Sequence, residues 1–376
     1  MKIALFTDGI YPYVIGGMQK HSFYLAKYFA LNKIHVDLYH TAAFNALPQE
    51  LDCFTQEENK YITPIFVPYP EKGKFPGHYI REMYAYSEAL FEAYEQKSFA
   101  DFIYVQGLCG MYLLENKNKV KSKVGINFHG LEMFQKVADF KSRLQQFMFK
   151  GPVRKSMRNA DIVFSLGGKL TEIIADQGIA KSKIIQIPIG LDESWIRTQP
   201  AKTNSIRKFV FVGRYERRKG IEELTSVVEQ MLSAEKFSFE FIGNIDNEKK
   251  IKSDNVKYHG SISDVSTIKA ILTDADILVC PSYSEGMPTV ILEAMASGLA
   301  IIASGVGAVA EQVDATNGII ISPGNTEELK KAILSLIHIP ERDLMNLKSN
   351  SIYKIKQKFL WDKIILKTIE EIKKIT

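Results

Sequence analysis

The chain has 376 residues, 46% of them hydrophobic and 24% charged, and carries a formal net charge of +5. That length exceeds one ordinary core and predicts two domains of roughly 170–200 residues each. No run of about 18 apolar residues occurs, so no helix is expected to cross a bilayer. The small positive balance gives no footprint for nucleic acid, and it suits anionic small substrates or an anionic membrane surface.

In chain order, Lys2–Phe6 is a short apolar run that reads as a buried first strand, too short for a signal peptide. A Gly-containing loop follows. His21–Leu31 has helical spacing and His35–His40 alternates like a strand. Further strands are predicted at Phe102–Val105, Val124–Phe128 and Asp161–Ser165, and the polar stretch Arg197–Lys208 reads as a linker. The alternation restarts with strand Phe209–Gly213, helix Ile221–Leu232, strand Phe237–Ile242, strand Ile277–Cys280, helix Thr289–Ala296 and strand Ala300–Ala303. Phe359–Thr376 has the pattern of an amphipathic helix. Short apolar strands between helices imply parallel sheets covered on both faces, an α/β class with two doubly wound halves. The expected division is 1–192 and 193–358, with 359–376 returning to the first domain. Ala160-Asp161-Ile162-Val163-Phe164-Ser165 echoes Ala275-Asp276-Ile277-Leu278-Val279-Cys280, as two similar halves would. Cys53, Cys109 and Cys280 match no metal spacing and read as free thiols, with the cytoplasm as expected location.

Two segments carry chemistry. Strand Phe209–Gly213 enters Arg214-Tyr215-Glu216-Arg217-Arg218-Lys219-Gly220 and then a helix. A strand, a Gly-bearing loop and a helix N-terminus form an anion site, with Arg214 and Lys219 as fixed cations for a diphosphate leaving group. A solvated basic turn is the plain alternative, and the spacing is not that of a P-loop. Second, Glu285-Gly286-Met287-Pro288-Thr289 leads into a helix bearing Glu293. The two acids suit two hydroxyl-bearing partners, ribose at Glu293 and sugar at Glu285. The alternative is a pair of surface acids near a helix start.

These segments, taken in order along the chain, resemble the retaining glycosyltransferases of family 4, with the GT-B fold of two Rossmann-like domains facing across a cleft. Gly213-Arg214, Lys219-Gly220 and Glu285-Gly286-Met287-Pro288 with Glu293 carry most of the likeness. Pro12–His21, containing Gly16 and Gly17, resembles the family's glycine loop beside the donor phosphates and acceptor. Asn127-Phe128-His129-Gly130 resembles its His-Gly turn, whose histidine contacts the donor sugar. Pro188-Ile189-Gly190-Leu191-Asp192 stands at the domain junction, and Gly307 with Glu311 resembles a later Gly-Gly…Pro-Glu segment. Ile189, Ala308 and Ala310 depart from the pattern.

The resemblance implies a hexosyltransferase-type enzyme that moves a sugar from a UDP- or GDP-sugar to a hydroxyl acceptor with retention, in surface polysaccharide or lipopolysaccharide synthesis. His129, Arg214, Lys219 and Glu285 would form the catalytic set. Gly16, Gly17, Gly213, Gly243, Gly286, Met287, Pro288, Thr289 and Glu293 would bind the donor, with the base near Gly243 and a Val256–Gly260 loop. The nucleotide sugar would be a co-substrate, and neither metal nor cofactor is expected. The pair Asp274-Ala275-Asp276 reads as a helix end before a buried strand. Residues 141–158 (with Lys141, Arg143, Lys150, Arg154, Lys155 and Arg158 among Leu144, Phe147, Met148, Phe149 and Val153) suit an anionic membrane surface or an ordinary solvated face. Tyr69–Tyr86, with Lys72, Lys74, Phe75, Tyr79, Arg81 and Tyr84, borders either the acceptor or a core. A nucleotide-sugar 2-epimerase on the same fold and a non-catalytic binding protein are the competing functions. The absence of Gly-x-Gly-x-x-Gly after either first strand argues against a dehydrogenase.

Overall fold

The computed structural model describes residues 1–42, 51–70, 77–97, 99–137 and 140–376. Its strands are β1 Lys2–Phe6, β2 His35–His40, β3 Ile62–Phe66, β4 Phe102–Gln106, β5 Lys123–Asn127, β6 Ile162–Ser165 and β7 Ile184–Gln186, then β8 Arg207–Val212, β9 Phe237–Ile242, β10 Val256–Tyr258, β11 Ile277–Cys280, β12 Ala300–Ser304 and β13 Gly318–Ile321. The helices are α1 Gly17–Leu31, α2 Gln56–Asn59, α3 His78–Glu95, α4 Met111–Glu115, α5 Phe140–Asn159 and α6 Lys169–Asp176, then α7 Ile221–Met231, α8 Val265–Asp274, α9 Thr289–Ser297, α10 Val309–Gln312, α11 Thr326–His338, α12 Glu341–Lys358 and α13 Trp361–Lys373.

Among the described residues there are two sheets. The first has the order β3-β2-β1-β4-β5-β6-β7 and the second β10-β9-β8-β11-β12-β13, each parallel throughout. Each chain order reverses beside its first strand, at β1/β4 and at β8/β11. In an open parallel sheet the crevice outside the carboxyl ends of the strands at such a reversal is where ligands bind. The glycine loop after β1, the basic loop after β8 and the loop carrying Glu285 after β11 all leave their sheets there.

The central strands are apolar on both faces because helices cover both. Phe102, Tyr104, Phe164 and Ile3 pack on one side of the first sheet, and Ala4, Phe6, Val105 and Ile126 on the other. The latter group belongs to one buried apolar cluster that continues through Leu131, Ile189 and Met287 to Val210, Leu278 and Ile301 of the second sheet. The two halves therefore share apolar contact beneath the cleft. The chain crosses between them twice. Leu191 donates its N–H to Phe359 and accepts from Trp361, at 2.6 and 3.2 Å. Helix α13 then buries Trp361, Ile364, Ile365, Ile369 and Ile372 against the first sheet. A side chain on Gly190 would meet the Trp361 ring at 2.7 Å, so the crossing needs glycine there.

The echoed acids have matching work. Asp161 accepts from the Val124 N–H at the edge of β5, Asp276 from the Lys208 N–H in β8, and Asp101 from the Lys2 N–H in β1, at 2.7, 3.1 and 2.7 Å. Asp276 is fully buried and also holds Lys348 Nζ at 2.9 Å. Asp274 pairs with Lys208, so both acids of Asp-Ala-Asp are occupied within the fold. Arg197–Lys208 is shorter as a linker than its composition suggests. Its last two residues are already in β8, and the Asn204 side chain is bonded to Asp276 at 3.0 Å.

Candidate active site

The second sheet supplies the charged half. Gly213 follows strand β8, and its N–H reaches Ile242 O at 2.9 Å. The neighbouring Gly243 has φ +142°, and a Cβ there would lie 1.9 Å from the Gly213 carbonyl oxygen. Two glycines thus let the loops after β8 and β9 press together. The basic loop turns at Gly220, with φ +66° and room for no side chain, since a Cβ would fall 2.1 Å from Pro281 O. This close approach seats Lys219 over the β11 loop. Lys219 Nζ lies 2.6 Å from Glu285 Oε1, and Ser282 donates to the same oxygen at 2.8 Å. Arg218 is 3.7 Å from the other carboxylate oxygen. The bidentate Arg217–Glu223 pair, at 2.6 and 2.8 Å, braces the turn, with Tyr283 joining at 2.7 Å.

Arg214 lies apart from this cluster. Its side chain is 77% exposed and its Nε pairs with Glu216 at 2.9 Å. Glu293, in α9, faces the other way along the crevice, and its carboxylate accepts from Lys20 Nζ of α1 at 2.8 Å. That ion pair spans the two sheets' helices. With Gly17, His21, Trp195 and Trp361 it lines a cavity at the junction, to which Thr289 also contributes. The region read as a Val256–Gly260 loop is different in form. Residues 256–258 are strand β10, because Val256 pairs with Phe239 and Tyr258 with Phe241. Only His259 and Gly260 remain in the turn, where Gly260 O accepts from Gly243 N–H at 2.8 Å.

The first sheet supplies the neutral half. Gly16 and Gly17 sit at the start of α1. A Cβ on Gly16 would collide with the Gln19 side chain at 2.1 Å, whereas Gly17 faces open space. Gln19 in turn donates to Asp8 at 2.6 Å. His129 follows β5, and its Nε2 lies 2.8 Å from Gln106 Oε1. Burial pushes its pKa down to about 4, so the ring is neutral. Its carbonyl touches the second sheet's loop so closely that a Cβ on Gly286 would fall 1.5 Å from it. Gln135 Nε2 donates to Glu285 O at 2.7 Å, and Ile189 N–H to Met287 Sδ at 3.2 Å. Gly307, with φ +52°, would carry a Cβ only 2.2 Å from Glu285 O. Ala308, which departs from the family's glycine, still donates its N–H to Gly286 O at 2.8 Å. Glu311 reaches across to Gly168 N–H at 3.0 Å.

The fold therefore gathers His129, Lys219, Glu285, Gly286 and Met287 at one end of the crevice, and Gly17, Thr289 and Glu293 at the other. Pro288 lies between, its carbonyl held by Gln312 Nε2 at 3.0 Å. Sequence reasoning assigned no role to Lys20, Gln106, Gln135, Arg218 or Ser282. Lys20 stood inside the glycine loop and Gln106 at a strand's carboxyl end, which were the available signals. Of the basic segment, Phe147 is 69% exposed. Arg154 and Lys155 bind Gln177 and Glu115 at 2.8 and 2.7 Å. The side chains of Lys141, Arg143 and Leu144 lie outside the described ones, and Lys72, Lys74 and Phe75 outside the described residues.

Residues 206–338 match the family model described as Glycosyl transferases group 1. A Bacillus subtilis (strain 168) glycosyltransferase named for teichuronic acid biosynthesis is 28% identical over 195 residues, 49% of this chain and 49% of that one. An uncharacterised glycosyltransferase of Methanocaldococcus jannaschii is 25% identical over 365 residues, 95% of this chain and 93% of that one. The chain thus spans about half the length of the first relative and nearly all of the second. Among solved structures, sucrose-phosphate synthase from Thermosynechococcus elongatus has a TM-score of 0.80 at 20% identity, covering 100% of this chain and 98% of that one. Anabaena HepE in complex with UDP has 0.70 at 17% identity, covering 100% of both. Residues 206–338 are thus similar to the glycosyl transferases group 1 family, on a chain with the GT-B fold of two Rossmann-like domains.

Proposed function

We propose that this protein moves a hexosyl group from a UDP- or GDP-sugar to a hydroxyl acceptor with retention of anomeric configuration, in the synthesis of a surface polysaccharide or lipid-linked glycan. The observation that carries the reading is the pairing of Lys219 with the buried Glu285, whose neighbour Gly286 packs against the carbonyl of the neutral His129 from the other sheet. In this reading the diphosphate lies over the β8 loop. Lys219, and Arg214 once it swings from Glu216, meet the charge that gathers on the leaving oxygen as the glycosidic bond breaks. Glu293 accepts from the ribose hydroxyls after displacing Lys20, and Glu285 and His129 hold the sugar. The backbone at Gly16 and Gly17 borders the phosphates. The acceptor hydroxyl attacks from the leaving-group face and its proton passes to the departing phosphate oxygen. The burden then falls on positioning and on leaving-group stabilisation. Two cations in place of a divalent ion predict turnover insensitive to EDTA.

Transfer is favoured over epimerisation because the family description and the relatives' names are those of transferases. The relative named for teichuronic acid synthesis supports a surface glycan as product. Exposed Phe147 and Met148 on the basic helix α5, with exposed Tyr79 of α3 against Phe149, support an acceptor presented at an anionic membrane surface. The deciding experiment is calorimetry with UDP, GDP, ADP and NAD, using Glu293→Ala and Arg214→Ala as controls. Selective binding of one sugar-nucleotide diphosphate, lost in both variants, is the expected result. Binding of NAD alone, or of none, removes the reading.

A further inference from the structure

Gln106 is the last residue of β4, at the carboxyl edge of the first sheet's reversal point. It is fully buried, so its amide must satisfy its hydrogen bonds within the protein. Its Oε1 is 2.8 Å from His129 Nε2 and its Nε2 is 3.0 Å from His21 Nδ1. The two imidazoles meet edge to face with centroids 4.5 Å apart. Burial lowers the pKa of both rings, so each is neutral and carries one proton.

With both rings neutral, the amide dictates where those protons sit. A carbonyl oxygen only accepts, so His129 carries its hydrogen on Nε2 and a bare lone pair on Nδ1. The amide N–H donates, so His21 is bare at Nδ1 and protonated at Nε2. Turning the amide over would put an N–H on His129 Nδ1, an atom buried without a protein partner. Orphaned buried donors are rarer than under-used acceptors, which favours the first arrangement. The geometry points to Gln106 as a positioning residue that locks His129 in the Nε2–H tautomer, leaving the buried, unpartnered Nδ1 lone pair as the acceptor that a hydroxyl of the donor sugar satisfies once donor binding opens the cleft beside the ring. This rests on the reading of His129 as a donor contact. It adds a specificity rule, because a donor group that can only accept a hydrogen bond would face a lone pair at that position, so a hydroxyl is favoured there over an oxygen that carries no proton. His21 lines the junction cavity with Lys20 and Glu293. The three linked side chains therefore run from the ribose end of the site to the sugar end.

The test is nitrogen NMR of histidine-labelled protein, with His129 assigned by the signals lost in His129→Gln. Wild type is expected to show protonated Nε2 and bare Nδ1, and Gln106→Leu a mixture of tautomers. UDP-glucose and GDP-mannose serve as probes, one of which should shift the Nδ1 signal in wild type. In Gln106→Leu that shift should vanish and kcat for donor consumption fall about tenfold with little change in UDP affinity, the scale of one hydrogen bond. A wild-type Nδ1–H tautomer, or an unchanged tautomer in folded Gln106→Leu, overturns the proposal. A locked tautomer that responds to neither nucleotide sugar supports the role of Gln106 and removes the donor reading instead.

Discussion

At the scale of single residues, the site is built on charges that already have partners. Lys219, expected as a fixed cation for a diphosphate, is bonded to a carboxylate that is only 8% exposed. Lys219→Ala leaves Glu285 with Ser282 and a distant Arg218, so stability should fall by about 1–3 kcal/mol. Turnover should fall far more, by about 10²–10³-fold, if the cation meets leaving-group charge. Ser282→Ala disturbs the same carboxylate but keeps the cation, and should cost much less turnover. Steady-state kinetics alongside thermal melts of both variants check this. His129 gives a pH signature. Its pKa is about 4 in the fold against 6.5 for the free side chain, so the unfolded chain binds the proton first. The stability this contributes is complete above pH 6.5 and is lost as pH falls towards 4. Asp8, raised by burial from 3.8 to about 6, acts in the opposite sense. Melting curves of wild type and His129→Gln across that window should therefore differ in slope, the variant lacking the rise in stability with pH that the neutral histidine contributes and keeping the opposite trend of Asp8.

At the scale of elements, strand and helix types were legible because buried parallel strands are short apolar runs and the helices between them are amphipathic. The edge strands β3, β7, β10 and β13 escaped notice. Their alternation is weak, as in Thr63 and Pro64 of β3, and pairing with one neighbour rather than propensity holds them. Helix α1 begins at Gly17, four residues before the predicted His21, because the tertiary contacts of the glycine loop override the poor helix propensity of glycine. The basic turn offers a test. Gly220 has a left-handed φ of +66° and a carbonyl 2.1 Å from where a Cβ would stand. Gly220→Ala must strain the turn or push β8 and β11 loops apart, and should destabilise by about 1–3 kcal/mol while weakening diphosphate binding. Urea titration and calorimetry with UDP measure the two effects.

At the scale of the whole molecule, α13 acts as a strap, since it follows the second sheet in the chain and packs on the first. Trp361 is its anchor, 1% exposed and stacked on Tyr24 and Tyr28 with ring centroids 5.8 and 5.7 Å away. Trp361→Ala should cost about 3–5 kcal/mol. It should also weaken nucleotide binding, because the same ring walls the junction cavity beside Glu293. A loss of stability with unchanged nucleotide affinity would separate the strap from the site.

What the chain alone determined follows from local chemistry. The apolar runs, the glycines that permit close loops, and the Lys-Gly and Glu-Gly-Met-Pro segments can each be read without a partner, because their meaning depends on neighbours in sequence. Which charges meet which was decided only in three dimensions. Lys20 with Glu293, Gln135 with the Glu285 carbonyl and Gln106 with His129 are separated by 273, 150 and 23 residues. Such pairs leave no periodic trace, because they arise where the carboxyl edges of two sheets are brought face to face and buried polar groups must then find one another.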